Sequence, residues 1–292
     1  MLLLTGATGL IGSALLRRLT AAGTPVRCLV RDPRRLGPQR VRVQIALGDL
    51  SDPPSFRNAL RGVRTVVHLA ASIRDQPGGS IEELNGIATW RMVQAAEREG
   101  VQRFAFFSAL GASTFHRARF FRAKALAERA VAQSSVRAIV FAPSIVYAPG
   151  DPWLTLLEHL SLLPVMPLSG RGHALYEPIW AEDVADCIVA ALDAEHEADV
   201  RYELAGPDRL SHRELVSLAL RSFGRSRALV PIPTPVVSRS LRLLEAALKG
   251  RVFATWEEAE LMEVSMLARR GTADARRLGV TPQPMAAVLG AT

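Results

Sequence analysis

The sequence predicts an α/β fold: a doubly wound parallel sheet followed by a smaller, mostly helical region. Three observations carry that prediction. Short β-rich runs alternate with helix-period stretches through the first half, the pattern of parallel strands joined by crossover helices. Gly6, Gly9 and Gly12 sit directly between the first such run and the first helix. After Tyr147 the alternation stops, and prolines and leucine-rich stretches take over.

Taken in order, the strands are expected at 1–4, 26–30, 41–46, 65–70, 103–108 and 137–142. Helices fall between them, clearest at 9–22, 81–99 and 117–133, where apolar residues recur at three- and four-residue spacing. Beyond Tyr147, "APGDPW" turns the chain, "LLPVMPLSGRGH" reads as a loop, and 181–194 returns to helix, opened by Ala181-Glu182-Asp183. The last third reads as helices at 211–223, 234–249 and 255–268, broken by "PIPTP" at 231–235 and "RRG" at 269–271. The chain then divides into a core over 1–150, continued by 178–204, and an outer region over 151–177 and 205–292.

Composition narrows the function classes. A chain of 292 residues, 49% hydrophobic and 22% charged, is long enough to bury a sizeable core. No apolar run approaches the ~20 residues of a membrane span. A strand-and-glycine motif beginning at Leu2 leaves no room for a leader ahead of it, so a cytoplasmic location is expected. Cys28 and Cys187 fall in a strand and a helix pattern and read as small core residues. Without a spaced Cys/His cluster, no metal is expected.

The net charge of +8 comes almost wholly from arginine, since Lys124 and Lys249 are the only lysines. The arginines are scattered, with groups at 31–42, 117–122 and 269–277 and no aromatic ladder beside them. That distribution argues against nucleic-acid binding and for a diffuse attraction of anionic small molecules.

The glycines point to a dinucleotide. Gly6 permits a tight turn after the strand, Gly9 lets the backbone approach a pyrophosphate, and Gly12 lets the helix pack on the sheet. The helix start then offers free N–H groups to the phosphates. The end of the second strand, "LVRDP", discriminates between cofactors. Arg31 stands at the strand end with Arg34 and Arg35 close behind, and a guanidinium suits a 2′-phosphate. NADP(H) is therefore preferred, while Asp32 keeps NAD(H) possible through a ribose 2′-hydroxyl.

With these motifs in place, the sequence resembles the extended or atypical short-chain dehydrogenase/reductases, which have a Rossmann fold. "TGATGLIG" (5–12) resembles their cofactor loop, implying cofactor contacts from Thr5, Gly6, Thr8, Gly9, Leu10, Ile11 and Gly12. "GDL" (48–50) resembles the segment that recognises adenine, implying Asp49 and Leu50; "HLAA" (68–71) implies Leu69, Ala70 and Ala71 beneath the adenosine ribose. "APSIVYAPGD" (142–151) resembles the turn beside the nicotinamide, implying Pro143, Ser144 and Ile145, with Phe141 and Ala148 as departures. "PIWAEDVA" (178–185) and "YELAGPDRLSHRELV" (202–216) resemble the branch that holds a complex I accessory subunit and NmrA-like regulators.

The family's catalytic set transfers unevenly. Asn85, in "ELNGIATWRMVQAA", matches its structural asparagine, and Lys124 its ribose-binding lysine. One helical turn before Lys124, where the family carries the tyrosine acid, stands Phe120. Ser108 ends the fifth strand, but the active serine of many extended members lies two residues later, at Leu110 here. Ser108, Tyr147, His116, water and a hydroxyl of the substrate itself all stay open as the source of the missing hydrogen bond or proton. Phe120 then offers a stacking wall for an aromatic ring.

Two functions follow from the resemblance. One is an NAD(P)H-dependent ketoreductase of a bulky apolar, aromatic or polycyclic ketone, as in tyrosine-less tailoring enzymes of polyketide antibiotic biosynthesis. The other is a catalytically idle NADPH sensor or assembly module. Leucine-rich 154–168 and 236–256 suggest a roomy apolar substrate pocket with Phe253 and Trp256 as a lid. A small-molecule substrate is the expected partner, and the protein a monomer or homodimer.

Overall fold

In the computed structural model, which describes residues 1–194, 199–233, 235–237, 239 and 256–291, seven strands form one parallel sheet. They are β1 (Leu2–Thr5), β2 (Val26–Val30), β3 (Gln44–Leu47), β4 (Thr65–His68), β5 (Arg103–Phe107), β6 (Arg137–Pro143) and β7 (Val200–Leu204). Their order across the sheet is β7-β6-β5-β4-β1-β2-β3. The chain reverses its direction of growth beside β1, which opens a crevice at the carboxyl ends of the strands there.

Strands buried on both faces need continuous apolar runs. β1 and β4 meet that demand, every residue of "LLLT" and "TVVH" being buried. One face is covered by α1 (Leu10–Ala21) and by a helix near the end of the core, Ala181–Asp193, through Leu15, Leu16, Leu19, Val184 and Ile188. The other face is covered by α2 (Ala88–Arg98) and α3 (Arg119–Ala132), through Met92, Val93, Ala127 and Val131 against Phe104 and Phe106. Ion pairs from Arg17 and Arg18 to Glu182 and Asp186 fasten α1 to Ala181–Asp193.

The structure departs from the sequence pattern where tertiary contacts override it. β3 begins at Gln44 rather than 41, because Pro33–Val41 winds as a 3-10 helix whose start is capped by the Asp32 carboxylate. β4 stops at His68 rather than residue 70, where the chain passes tightly against Gly6. The expected helix at 81–99 opens with a π-helical turn, Glu83–Ile87, that carries Asn85.

The outer region corrects two expectations. "LLPVMPLSGRGH" is not simply a loop: Val165–Ser169 pairs in parallel with Ala228–Ile232. Pro167 and Pro231 disguise both strands, yet a two-stranded ribbon consists of edges, where proline is tolerated. The expected helix at 255–268 ends early, at Trp256–Leu261. Its continuation is recruited elsewhere, Met266 N–H donating to Leu175 O at 2.8 Å and Tyr176 Oη–H to Met262 O at 2.7 Å. The expected helix at 234–249 falls mostly outside the described residues, as do Phe253 and the side chain of Trp256. Tyr176, Leu168, Leu215 and Val216 form the separate core of this region, beneath the helices Pro152–Leu160 and His212–Ser222.

Candidate functional site

The crevice beside β1 is a cleft of about 350 Å³. Of the residues predicted to hold a cofactor, Thr5, Gly6, Thr8, Gly9, Arg31, Asp49, Leu50, Leu69, Ala70 and Ala71 line it. The glycines divide the work. A Cβ on Gly6 would lie 2.6 Å from the Ala70 nitrogen, and one on Gly12 only 2.0 Å from Gly6 O. Both glycines therefore exist so that backbone can pack on backbone. A Cβ on Gly9 would meet only Gly6 O, at 3.3 Å, and otherwise open cleft. Gly9 also caps α1 without any side-chain bond, which leaves the first N–H groups of that helix free for an anion.

Leu10, Ile11 and Gly12 form the first turn of α1 and are not part of the cleft lining, Ile11 packing on the core. At the far end of the cleft, Arg34 is turned away. Its guanidinium grips Asp32 at 3.0 and 3.1 Å, and that bond holds the Asp32 carboxyl below its ordinary range. Arg31, Asp32 and Arg35 line the cleft, with Arg31 3.9 Å from Asp49. Burial works against the charge on Asp49, but bonds from Ser51 and the field of Arg31 outweigh it and hold the carboxyl low.

Pro143, Ser144 and Ile145 lie outside this lining, at the end of β6. Ser144 Oγ donates to Met266 O at 2.7 Å and accepts from Glu177 N–H at 3.0 Å, stitching the turn to the outer region. Its hydroxyl is thus committed. Gly48, Ser72, Gln76 and Leu84 line the cleft although the sequence reading did not single them out. Gly48 was within the quoted "GDL" motif; Gln76 lies in an aperiodic connection that carries no pattern to read.

The predicted catalytic residues gather around β5. Lys124 is buried, and its Nζ donates to Phe107 O at 2.6 Å, between the rings of Phe106 and Phe120 at 5.0 and 5.7 Å. Burial pushes its pKa down to about 7. The next residue, Ser108, is buried with its Oγ lacking any partner among the described residues. A stranded hydroxyl of that kind is costly and asks for an explanation. Leu110, the other candidate position, is a buried apolar side chain.

Two of the alternative donors are placed differently. The His116 ring packs on Phe121 at 4.7 Å and its Nδ1 accepts from Ala118 N–H at 3.0 Å, a local cap at the start of α3. Tyr147 is buried in the outer core, its hydroxyl without a partner among the described residues and driven upward in pKa by burial. Phe120 stands edge-on to Phe121, with centroids 5.6 Å apart.

Asn85 is fully engaged inside its π-turn. Its Nδ2 donates to Ser72 O and Ile81 O at 2.7 and 2.8 Å, and its Oδ1 accepts from Ser72 N–H at 3.2 Å. The residue that sequence reasoning missed is His68. Thr89 Oγ1 donates to Asn85 O at 2.6 Å, so it must accept from His68 Nε2 at 3.1 Å. Nδ1 is then the bare nitrogen and accepts from Thr5 Oγ1 at 2.9 Å. One neutral tautomer thus ties the glycine loop to the Asn85 turn. Burial, reinforced by the Lys124 charge, lowers its pKa to about 3. A lone polar residue in the apolar run "TVVHLA" was the available signal.

Among the described residues no group of His, Cys, Asp and Glu is arranged to hold a metal, and no helix is long and apolar enough to cross a membrane.

Comparison with known proteins agrees with this geometry. A family model described as NAD(P)H-binding matches residues 6–195. The chain is 29% identical over 244 residues to the mitochondrial NADH dehydrogenase (ubiquinone) 1 alpha subcomplex subunit 9 of Arabidopsis thaliana, a match covering 79% of this chain and 60% of that protein. It is 27% identical over 249 residues to the ceramide reductase of Caulobacter vibrioides, covering 83% and 77% respectively. A solved nucleoside-diphosphate-sugar epimerase from Staphylococcus aureus superposes with a TM-score of 0.80 at 18% identity, covering 99% of each chain. That last likeness is one of fold.

Proposed function

The chain belongs to the NAD(P)H-binding family, and we propose that it is a reductase which uses NADP(H) to reduce a bulky, apolar or aromatic ketone. The observation that carries this reading is the buried Ser108 hydroxyl, without a partner among the described residues, directly after the Phe107 carbonyl that Lys124 grips at the carboxyl end of β5. The Arabidopsis and Caulobacter relatives are, by name, an NADH dehydrogenase subunit and a reductase.

The residues present fit a nicotinamide dinucleotide. The open space over Gly9 and the uncapped start of α1 suit a pyrophosphate, and Arg31 with Arg35 suits a 2′-phosphate. When bound, the nicotinamide supplies a hydride to an adjacent carbonyl carbon. The chain's own part is to orient and stabilise. Lys124 would hold the ribose end through the N–H groups that it does not give to Phe107 O. Ser108 Oγ donates to the carbonyl oxygen as negative charge develops on it, and Phe120 provides an apolar wall. The proton comes from water or from a hydroxyl of the substrate.

Loss of a positioned acid removes ~10²–10⁴-fold, whereas juxtaposition of reactants contributes ~7–11 kcal/mol, so a reductase without the acid is still effective. The test follows NADPH oxidation by its absorbance against a panel of polycyclic ketones, with Ser108→Ala expected to lower kcat about 10²-fold. A second reading, an idle NADPH-binding subunit or assembly module, is favoured by Phe120 and by the subunit named among the relatives. Tight NADPH binding with no turnover on any ketone is its signature.

A further inference from the structure

A second, larger cavity opens in the outer region, about 620 Å³ in volume, which is ample for a drug-sized molecule. Its walls are apolar, basic and, at Glu263, acidic. Pro231, Pro233 and Met262 are apolar, while Arg117, Arg171 and His173 bring basic groups to the same space. Arg117 is already answered, its Nη2 lying 2.9 Å from Glu263. Arg171 and His173 are exposed, and neither has a hydrogen bond or ion pair among the described residues.

Arg171 is also held in place. It stands between Gly170 and Gly172, both at positive φ (67° and 72°). The Gly170 N–H donates to Ile232 O at 2.8 Å and Gly172 O accepts from Arg213 N–H at 3.2 Å, so the loop is pinned on each side of the arginine. The cavity adjoins the reaction centre through Met262, which lines it and also packs in the small cluster containing Phe120 and Phe121.

We propose that this cavity selects substrates that join an apolar body to an anionic terminus, a carboxylate or a phosphate, with Arg171 as the principal contact and His173 beside it. The inference rests on the reductase reading and narrows its substrate class: the ketone lies toward Phe120 and the charge toward Arg171. A guanidinium not claimed by any side chain of the cavity can grip a carboxylate or phosphate with two donors, a contact that a neutral analogue does not offer.

Three probes of one ring system test it: 2-naphthyl phosphate, 2-naphthoate and neutral 2-naphthol, titrated calorimetrically into the full chain with NADPH present. At least one anion is expected to bind roughly ten-fold tighter than the neutral probe, and the better anion identifies the terminus. Arg171→Gln is expected to erase the difference while Arg98→Gln, on an exposed part of α2, leaves it intact. His173→Gln supplies a second variant, expected to reduce the difference, should Arg171→Gln misfold. Equal affinity for all three probes, no binding of any, or equal loss in Arg98→Gln overturns the proposal. Anion preference without NADPH oxidation on any ketone would instead sink the reductase reading and leave the cavity's selectivity standing.

Discussion

Lys124 Nζ lies 2.6 Å from the carbonyl oxygen of Phe107, and the lysine is buried. Burial lowers its pKa to about 7, against the attraction of Glu128. Below pH 7 both the folded and unfolded chains carry the charge, and the folded one bears the full cost of burying it. Between there and the ordinary value near 10.5, the unfolded chain holds the proton and the folded chain does not. Stability from this group therefore rises with pH across that window. Urea midpoints at pH 7 and pH 9 are expected to show a rise in the native protein that is absent from Lys124→Met. Identical pH dependence in the two proteins would show that the lysine is not buried as charge.

His68 titrates in the opposite part of the scale. Its folded pKa of about 3 lies below its ordinary 6.5, so the unfolded chain binds more protons between those values. The stability it contributes is complete above pH 6.5 and is lost progressively as pH falls toward 3. His68→Asn is expected to flatten this acid limb. At neutral pH, His68→Ala takes the acceptor from the Thr5 hydroxyl, while Thr89 keeps its bond to Asn85 O, and is expected to cost about 1–3 kcal/mol. Nitrogen chemical shifts offer a direct check, since they separate the Nε2–H tautomer from its alternative.

The glycine loop separates folding from binding. Gly12→Ala would force a Cβ to 2.0 Å from Gly6 O, and the helix can relieve that only by leaving the sheet. A loss of about 3 kcal/mol or more is expected, read as a fall in the melting temperature. Gly9→Ala meets its nearest atom at 3.3 Å and should fold. Its methyl group occupies the space proposed for the pyrophosphate, so NADPH affinity is expected to fall at least ten-fold, about 1.4 kcal/mol. Equal affinity in Gly9→Ala would place the phosphates elsewhere.

Much of this was legible because local chemistry and global fold agree. Runs such as "LLLT" and "TVVH" must be buried on both faces, and glycines between a strand and a helix have few other uses. The failures have physical reasons as well. Pro167 and Pro231 lie in paired strands whose edges tolerate them, so the usual punctuation misled. The helix expected through 268 ended at Leu261 because Leu175 and Tyr176, distant in sequence, recruit the backbone that follows. Arg34 carried the right charge for a phosphate, but in the fold Asp32 has claimed it. The His68 relay depends on partners 63 and 21 residues away, which no short window contains.

The same Asp32–Arg34 pair makes cofactor choice testable. Arg31 and Arg35 line the cleft while Arg34 is held back. Replacing both by glutamine is expected to lower the preference for NADPH over NADH at least ten-fold, the worth of one or two charge-assisted contacts, ~1.5–3 kcal/mol each. Asp32→Ala releases Arg34 and is expected to raise that preference. Competitive titration of the two cofactors measures both. An unchanged ratio in the double variant would assign adenosine recognition to other groups.

Phe120→Tyr restores the side chain that the family resemblance places one turn before Lys124. In a reductase limited by the absent acid, the change would recover much of the ~10²–10⁴-fold that a positioned donor supplies. The geometry favours a smaller effect. The Phe120 ring stands edge-on to Phe121 at 5.6 Å, and Lys124 Nζ, 5.7 Å from its centroid, is already committed to Phe107 O. With Ser108 holding the carbonyl oxygen and the proton drawn from water or the substrate, kcat is expected to change by less than about ten-fold in either direction. Ser108→Ala should cost more than Phe120→Tyr gains. A hundred-fold gain would show that Phe120 marks a lost function, whereas a small change shows that the oxygen was already served by another group.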